Sequence, residues 1–114
     1  MVKIYHNPRC SKSREVLALL RERGIEPTVI EYLKTPLNVQ ELRTLFQAAN
    51  LEVREAMRTN EKEYQELGLK DEGLSDDELL DAIAQHPRLM NRPFVVTDKG
   101  ARLCRPTELV EEIL

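Results

Sequence analysis

Two hydrophobic periods alternate along the chain. Val2-Lys3-Ile4-Tyr5 switches polarity residue by residue, as a half-buried strand does, and Asn7-Pro8 breaks it. Over residues 11–23, Val16, Leu17, Leu19 and Leu20 fall at helical spacing, with Gly24 as the stop. Residues 27–33 carry Val29, Ile30 and Tyr32, which predicts a second strand, and Thr35-Pro36 ends it. Asn38 caps a helix predicted to about residue 50, with Leu42, Leu45 and Phe46 on one face. Residues 52–67 read as one or two short helices ending at Gly68. Ser75-Asp76-Asp77-Glu78 is a capping box ahead of Leu79, Leu80 and Ile83, in a helix that stops near His86-Pro87. Residues 94–97 and 101–104 read as a hairpin turning at Gly100. Pro106 opens a final helix with Leu109, Val110, Ile113 and Leu114 facing inward.

This order, β-α-β, then helices, then β-β-α, predicts an α/β fold built on a thioredoxin-like sheet. The helical block is an insertion. The chain of 114 residues is short enough for one domain (1–114), with a core of about 1–34 and 88–114 and an insertion of about 35–87.

Composition narrows the function. Charged residues make up 32% and hydrophobic residues 41%, as in an ordinary soluble domain. Aromatics are 4% with no Trp, and the net charge is -3, which argues against a nucleic-acid surface. No apolar run approaches the roughly 20 residues that span a bilayer, and Lys3, His6 and Arg9 interrupt any signal-peptide core. A cytoplasmic protein without a membrane partner is expected. The two cysteines, Cys10 and Cys104, and the two histidines, His6 and His86, lack metal-ligand spacing, so no metal is expected.

Cys10 carries the candidate chemistry. It sits between the first predicted strand and helix, where unpaired backbone N–H groups and the helix dipole favour a thiolate and can also cradle an oxyanion. Lys3, Arg9, Lys12 and Arg14 all precede the first acidic residue, Glu15. Cys10-Ser11-Lys12-Ser13 has the Cys-x-x-Cys spacing with Ser13 in place of the second thiol, so an external thiol must resolve any intermediate on Cys10. Ser11 and Ser13 offer hydroxyls to a thiolate or an oxyanion, or simply cap the helix. His6 favours the thiolate if protonated and near; otherwise it is a hydrogen-bonded residue at a strand end. Of the seventeen basic residues eleven are Arg, and Arg58, Arg92 and Arg105 lie at element boundaries, the last two each before a proline. Their forked guanidinium groups suit tetrahedral oxyanions. Cys104, next to Arg105, is expected to point away from Cys10 and to be structural.

With these residues in hand, the sequence resembles the glutaredoxin-linked arsenate reductase family. The likeness runs through Ile4-Tyr5-His6-Asn7-Pro8-x-Cys10-x-x-Ser13-Arg14, Met57-Arg58-Thr59-Asn60 and Tyr64-x-Glu66-Leu67-Gly68-Leu69. It continues through Gln85-His86-Pro87, Asn91-Arg92-Pro93-x-Val95-Val96-Thr97 and Leu103-Cys104-Arg105-Pro106-Thr107-Glu108. The best-studied members carry Ala-Cys-Gly-Thr-Ser where this chain has Arg9-Cys10-Ser11-Lys12-Ser13.

The resemblance implies a thioredoxin-like fold with a mixed four-stranded sheet and an inserted helical subdomain. It implies Cys10 as the nucleophile, His6 as the histidine that favours its thiolate, Arg58, Arg92 and Arg105 as an oxyanion-binding triad, and Pro93 as a cis-proline. The implied reaction is reduction of arsenate to arsenite, with glutathione as co-substrate and glutaredoxin as partner. No cofactor is tightly bound, and a monomer is expected. Two other readings stay open. One is a glutathione- or glutaredoxin-linked thiol oxidoreductase with another substrate. The other is a non-enzymatic regulator of the Spx type that binds RNA polymerase; Ser13 argues against its redox switch, and the three arginines argue for an enzyme.

Overall fold

The computed structural model describes residues 1–114. It divides into two compact units, Met1–Thr35 with Arg92–Leu114, and Pro36–Asn91.

The first unit holds a four-stranded sheet in the order β2-β1-β3-β4. β1 (Lys3–Tyr5) pairs in parallel with β2 (Thr28–Ile30) and antiparallel with β3 (Phe94–Thr97), which pairs antiparallel with β4 (Gly100–Leu103). α1 (Ser11–Glu22) makes the crossover between the two parallel strands. The sheet is thus mixed, and with its helices it forms a thioredoxin-like α/β unit. Ile4 stands opposite both Val29 and Val95, so one side chain anchors three strands. The core gathers Ile4, Val16, Leu20, Val95, Cys104, Val110 and Ile113. Val16 and Leu20, four apart on α1, bury the same helix face, while Leu17 and Leu19 are only partly covered. Arg23 closes α1, and Gly24 follows at φ +75°, a left-handed position that a side chain would strain.

The last helix differs from expectation. Thr107–Ile113 is a 3-10 helix rather than an α-helix. Its two fully buried residues, Val110 and Ile113, are three apart, and a three-residue turn stacks them on one line toward the core. Thr97 Oγ1 donates to the Ile113 carbonyl at 2.6 Å and ties down the end of that run.

The second unit is helical. α2 (Val39–Ala48) packs on α4 (Asp76–Gln85), joining Leu42, Leu45 and Phe46 with Leu79, Leu80 and Ile83 in a buried set. Both helices start with full capping boxes, Asn38 with Glu41 and Ser75 with Glu78. Between them lie a 3-10 turn (Arg54–Ala56) and the short α3 (Lys62–Glu66), which stops before Gly68 at φ +65°. A further 3-10 turn covers Pro87–Leu89. The unit runs to Asn91, beyond the expected limit near residue 87, because the chain there is stitched to the segment after Ala56. Arg58 N–H donates to Leu89 O at 2.7 Å, Asn91 N–H donates to Ala56 O at 2.8 Å, and Met57 pairs with Met90. No helix is long and apolar enough to cross a membrane.

Candidate active site

The loop after β1 is built by its own backbone. His6 N–H continues the sheet by donating to Ile30 O at 2.8 Å. Asn7 then folds the chain: its side-chain oxygen accepts from Arg9 N–H and its carbonyl from Cys10 N–H, each at 3.0 Å. Asn favours such local turns because its short amide reaches the backbone two residues on. Arg14 reaches back from α1 and donates to Pro8 O at 2.9 Å. Cys10 occupies the N-cap of α1 in an extended conformation, φ -94° and ψ 122°. Its carbonyl accepts the first helical bond, from Arg14 N–H at 3.0 Å.

The thiol is buried, at 8% exposure. Burial by itself pushes a thiol up, because the anion loses its hydration. The Ser13 N–H, the Arg92 side chain and the Lys12 N–H oppose that, and together they hold Cys10 below the usual thiol value. The helix start and one arginine therefore act on the same sulfur.

His6 and Ser13 form a buried pair, with His6 Nδ1 and Ser13 Oγ 2.8 Å apart. The Ser13 oxygen also accepts from Asn7 N–H at 3.0 Å. Burial, with the charges of Arg21 and Arg14, lowers the His6 pKa below 6.5 against the opposing pull of Glu31. The environment of His6 therefore favours the neutral ring. Of the two readings of His6, the structure shows the hydrogen-bonded residue at the end of β1, and Arg92 is the charged side chain that acts on the Cys10 sulfur. Ser13 likewise turns its hydroxyl to His6 and Asn7, and its backbone N–H to the sulfur. Ser11 is exposed, and Lys12 pairs with Glu15 at 3.5 Å.

Arg92 and Arg105 come together at the ends of the hairpin. Arg105 NH1 donates to the Arg92 carbonyl at 3.0 Å. The peptides Arg92–Pro93 and Arg105–Pro106 are both cis; the resemblance points to the first, and nothing in the sequence singles out the second. Cys104 N–H donates to Pro93 O at 2.9 Å, which fixes the two Arg-Pro junctions side by side. Cys104 itself faces the core at 0% exposure, and burial pushes its thiol up to about 12. One unit thus gathers Cys10, His6, Ser13, Arg92, Pro93 and Arg105. Arg58 belongs to the other unit, where its Nε–H donates to Glu61 at 3.0 Å. Glu61 was not singled out by sequence, although an acid three residues after an arginine is a recurrent pairing distance. No group of three or more His, Cys, Asp or Glu side chains gathers to hold a metal ion.

Known proteins resemble this chain along nearly its whole length. An arsenate reductase of Rhizobium meliloti (strain 1021) is 56% identical over 113 residues, which cover 99% of this chain and 81% of that protein. The uncharacterized protein YfgD of Escherichia coli (strain K12) is 51% identical over 114 residues, covering 99% of this chain and 96% of that protein. A solved structure of an arsenate reductase from Vibrio cholerae superposes with a TM-score of 0.96 at 56% identity, covering 99% of this chain and 97% of that one. The ArsC family matches residues 5–113. The chain belongs to the ArsC family.

Proposed function

We propose that this protein reduces arsenate to arsenite through Cys10. The observation that carries the proposal is the thiol itself: buried, yet held below the usual thiol value by the Ser13 and Lys12 N–H groups and by Arg92. A stabilised thiolate beside arginines suits attack on a tetrahedral oxyanion. The names of relatives at 50–56% identity support arsenate as the substrate.

The Cys10 sulfur bonds to arsenic as one oxygen leaves as water. A glutathione thiolate then attacks the adduct. The glutathione sulfur bonds to the Cys10 sulfur, the electron pair of the breaking Cys10 S–As bond passes to arsenic, and arsenite departs. A glutaredoxin thiolate takes the glutathione as a mixed disulfide and releases Cys10 as the thiol. Arg92 and Arg105 neutralise the charge on the oxygens, and Arg58 is given the same role on its motif match. His6 and Ser13 shape the loop that aims the helix N–H groups at the sulfur. Cys104, buried with its proton held, takes no part. The protein acts as a cytoplasmic monomer.

The test is arsenite formation from arsenate with glutathione and glutaredoxin, on wild type, Cys10→Ser and Cys104→Ser. Wild type and Cys104→Ser are expected to turn over at similar rates, and Cys10→Ser to fall to background. A wild type silent toward arsenate while Cys10 still accepts glutathione would place the activity on another substrate. A Cys10–Cys104 disulfide trapped during turnover would overturn the external-thiol step.

A further inference from the structure

Glu61 is the N-cap of α3, a position where Ser, Asp, Asn or Thr ordinarily accepts a bond from the first helical turn. Its side chain makes no such bond. Oε1 accepts instead from Arg58 Nε–H at 3.0 Å, and Oε2 accepts from Arg88 NH2 at 3.3 Å. The Arg58 and Glu61 side chains are each 16% exposed, whereas Arg88 is 64% exposed. The inner bond is sheltered; the outer one is a surface pair of small value. The backbone under Arg58 is fixed as well, by its N–H bond to Leu89 O and the Met57–Met90 pairing. The Nε–H bond to Glu61 leaves the NH1–NH2 edge of the guanidinium out of that pair.

We propose that Glu61 is a positioning residue for Arg58. By taking the Nε–H, it holds the guanidinium in one orientation and leaves its NH1–NH2 edge to a tetrahedral oxyanion. The inference rests on the reading of Arg58 as an oxyanion ligand. A carboxylate next to an anion-binding arginine weakens anion affinity by Coulomb repulsion. Its value in this position is therefore orientation, obtained at the expense of a helix cap. An acceptor without charge should serve as well or better.

The experiment compares kcat and KM for arsenate in wild type, Glu61→Gln, Glu61→Asp, Glu61→Ala, Arg58→Ala and the double variant Arg58→Ala/Glu61→Ala, with circular dichroism to confirm folding. Glu61→Gln keeps an acceptor at the same reach and is expected within about twofold of wild-type kcat/KM, with KM equal or lower. Glu61→Asp keeps the charge but is one methylene short, and is expected to fall about tenfold together with Glu61→Ala. In the Arg58→Ala background, Glu61→Ala is expected to add nothing. A Glu61→Asp or Glu61→Ala protein at wild-type kcat/KM beside an impaired Arg58→Ala overturns the positioning role alone, and so does full additivity in the double variant. An Arg58→Ala protein at wild-type kcat/KM removes the role of the arginine itself, and with it that of Glu61.

Discussion

A thiol with little exposure is ordinarily a poor nucleophile, because the surroundings that hide it also penalise its anion. Cys10 escapes this through donors rather than through exposure: two backbone N–H groups of α1 and the Arg92 side chain. Arg92 and Arg105 are separable on this basis. Arg92→Ala is expected to raise the pH midpoint of Cys10 alkylation, since its guanidinium acts directly on the sulfur. Arg105→Ala is expected to leave that midpoint in place, since Arg105 is braced on the Arg92 carbonyl. Both should lower kcat/KM for arsenate by roughly 10- to 150-fold, the value of a charged hydrogen bond at ~1.4 kcal/mol per decade. Arg43→Ala, which removes only an exposed pair with Asp77, is the control and should stay near wild type. Alkylation followed by mass spectrometry reads the first effect and steady-state kinetics the second. If Arg92→Ala and Arg105→Ala both behave like the control, neither arginine serves an oxyanion.

At the scale of elements, local chemistry and local structure agree at the starts of α2 and α4. The capping boxes at Asn38 and Ser75 form as their spacing predicts, because both partners lie within one turn of chain. Ser75→Ala is expected to destabilise the fold by about 1 kcal/mol, read as a lower urea midpoint with an unchanged slope. Its kcat/KM should not move, since α4 carries none of the proposed site residues; a tenfold loss there would place α4 in the chemistry. Among the four α-helices, the two that start without a side-chain cap are α1 and α3, headed by Cys10 and Glu61. Cys10 turns its sulfur toward donors that favour an anion, and Glu61 gives both oxygens to arginines. A local rule set aside at two helix starts beside charged partners marks where function competes with propensity.

Across the whole molecule the two thiols are set apart by environment. Cys104 lies in the core beside Ile4, Val95 and Val110, and its folded-state pKa rises to about 12 from an ordinary value of 9.0. Below about pH 9 both folded and unfolded chains hold that proton, so its contribution to stability is fully present. As pH rises toward 12, the unfolded chain releases the proton and the folded chain keeps it, so stability falls. Urea unfolding at about pH 8 and about pH 10.5 should show a steeper loss in wild type than in Cys104→Ala, by up to about 1.4 kcal/mol per pH unit. Equal losses in the two proteins would mean that Cys104 titrates normally in the folded state. Much of this protein is written in short-range pattern: the periods that make β1, α1, α2 and α4, the stops at Gly24 and Gly68, the capping boxes, and Cys10 at a strand-to-helix junction. Each depends on residues a few positions apart, so the sequence alone determines them. Tertiary structure decided the rest, because it depends on partners far along the chain. Burial lowers the pKa of His6, which bonds to Ser13, and Arg92, more than eighty positions from Cys10, is the charged side chain that acts on its sulfur. The sheet core drew Thr107–Ile113 into a 3-10 helix, and the pairing of Met57 with Met90 carried the helical unit on to Asn91. Periodicity records which side of an element faces inward; it does not record which distant charge meets it there.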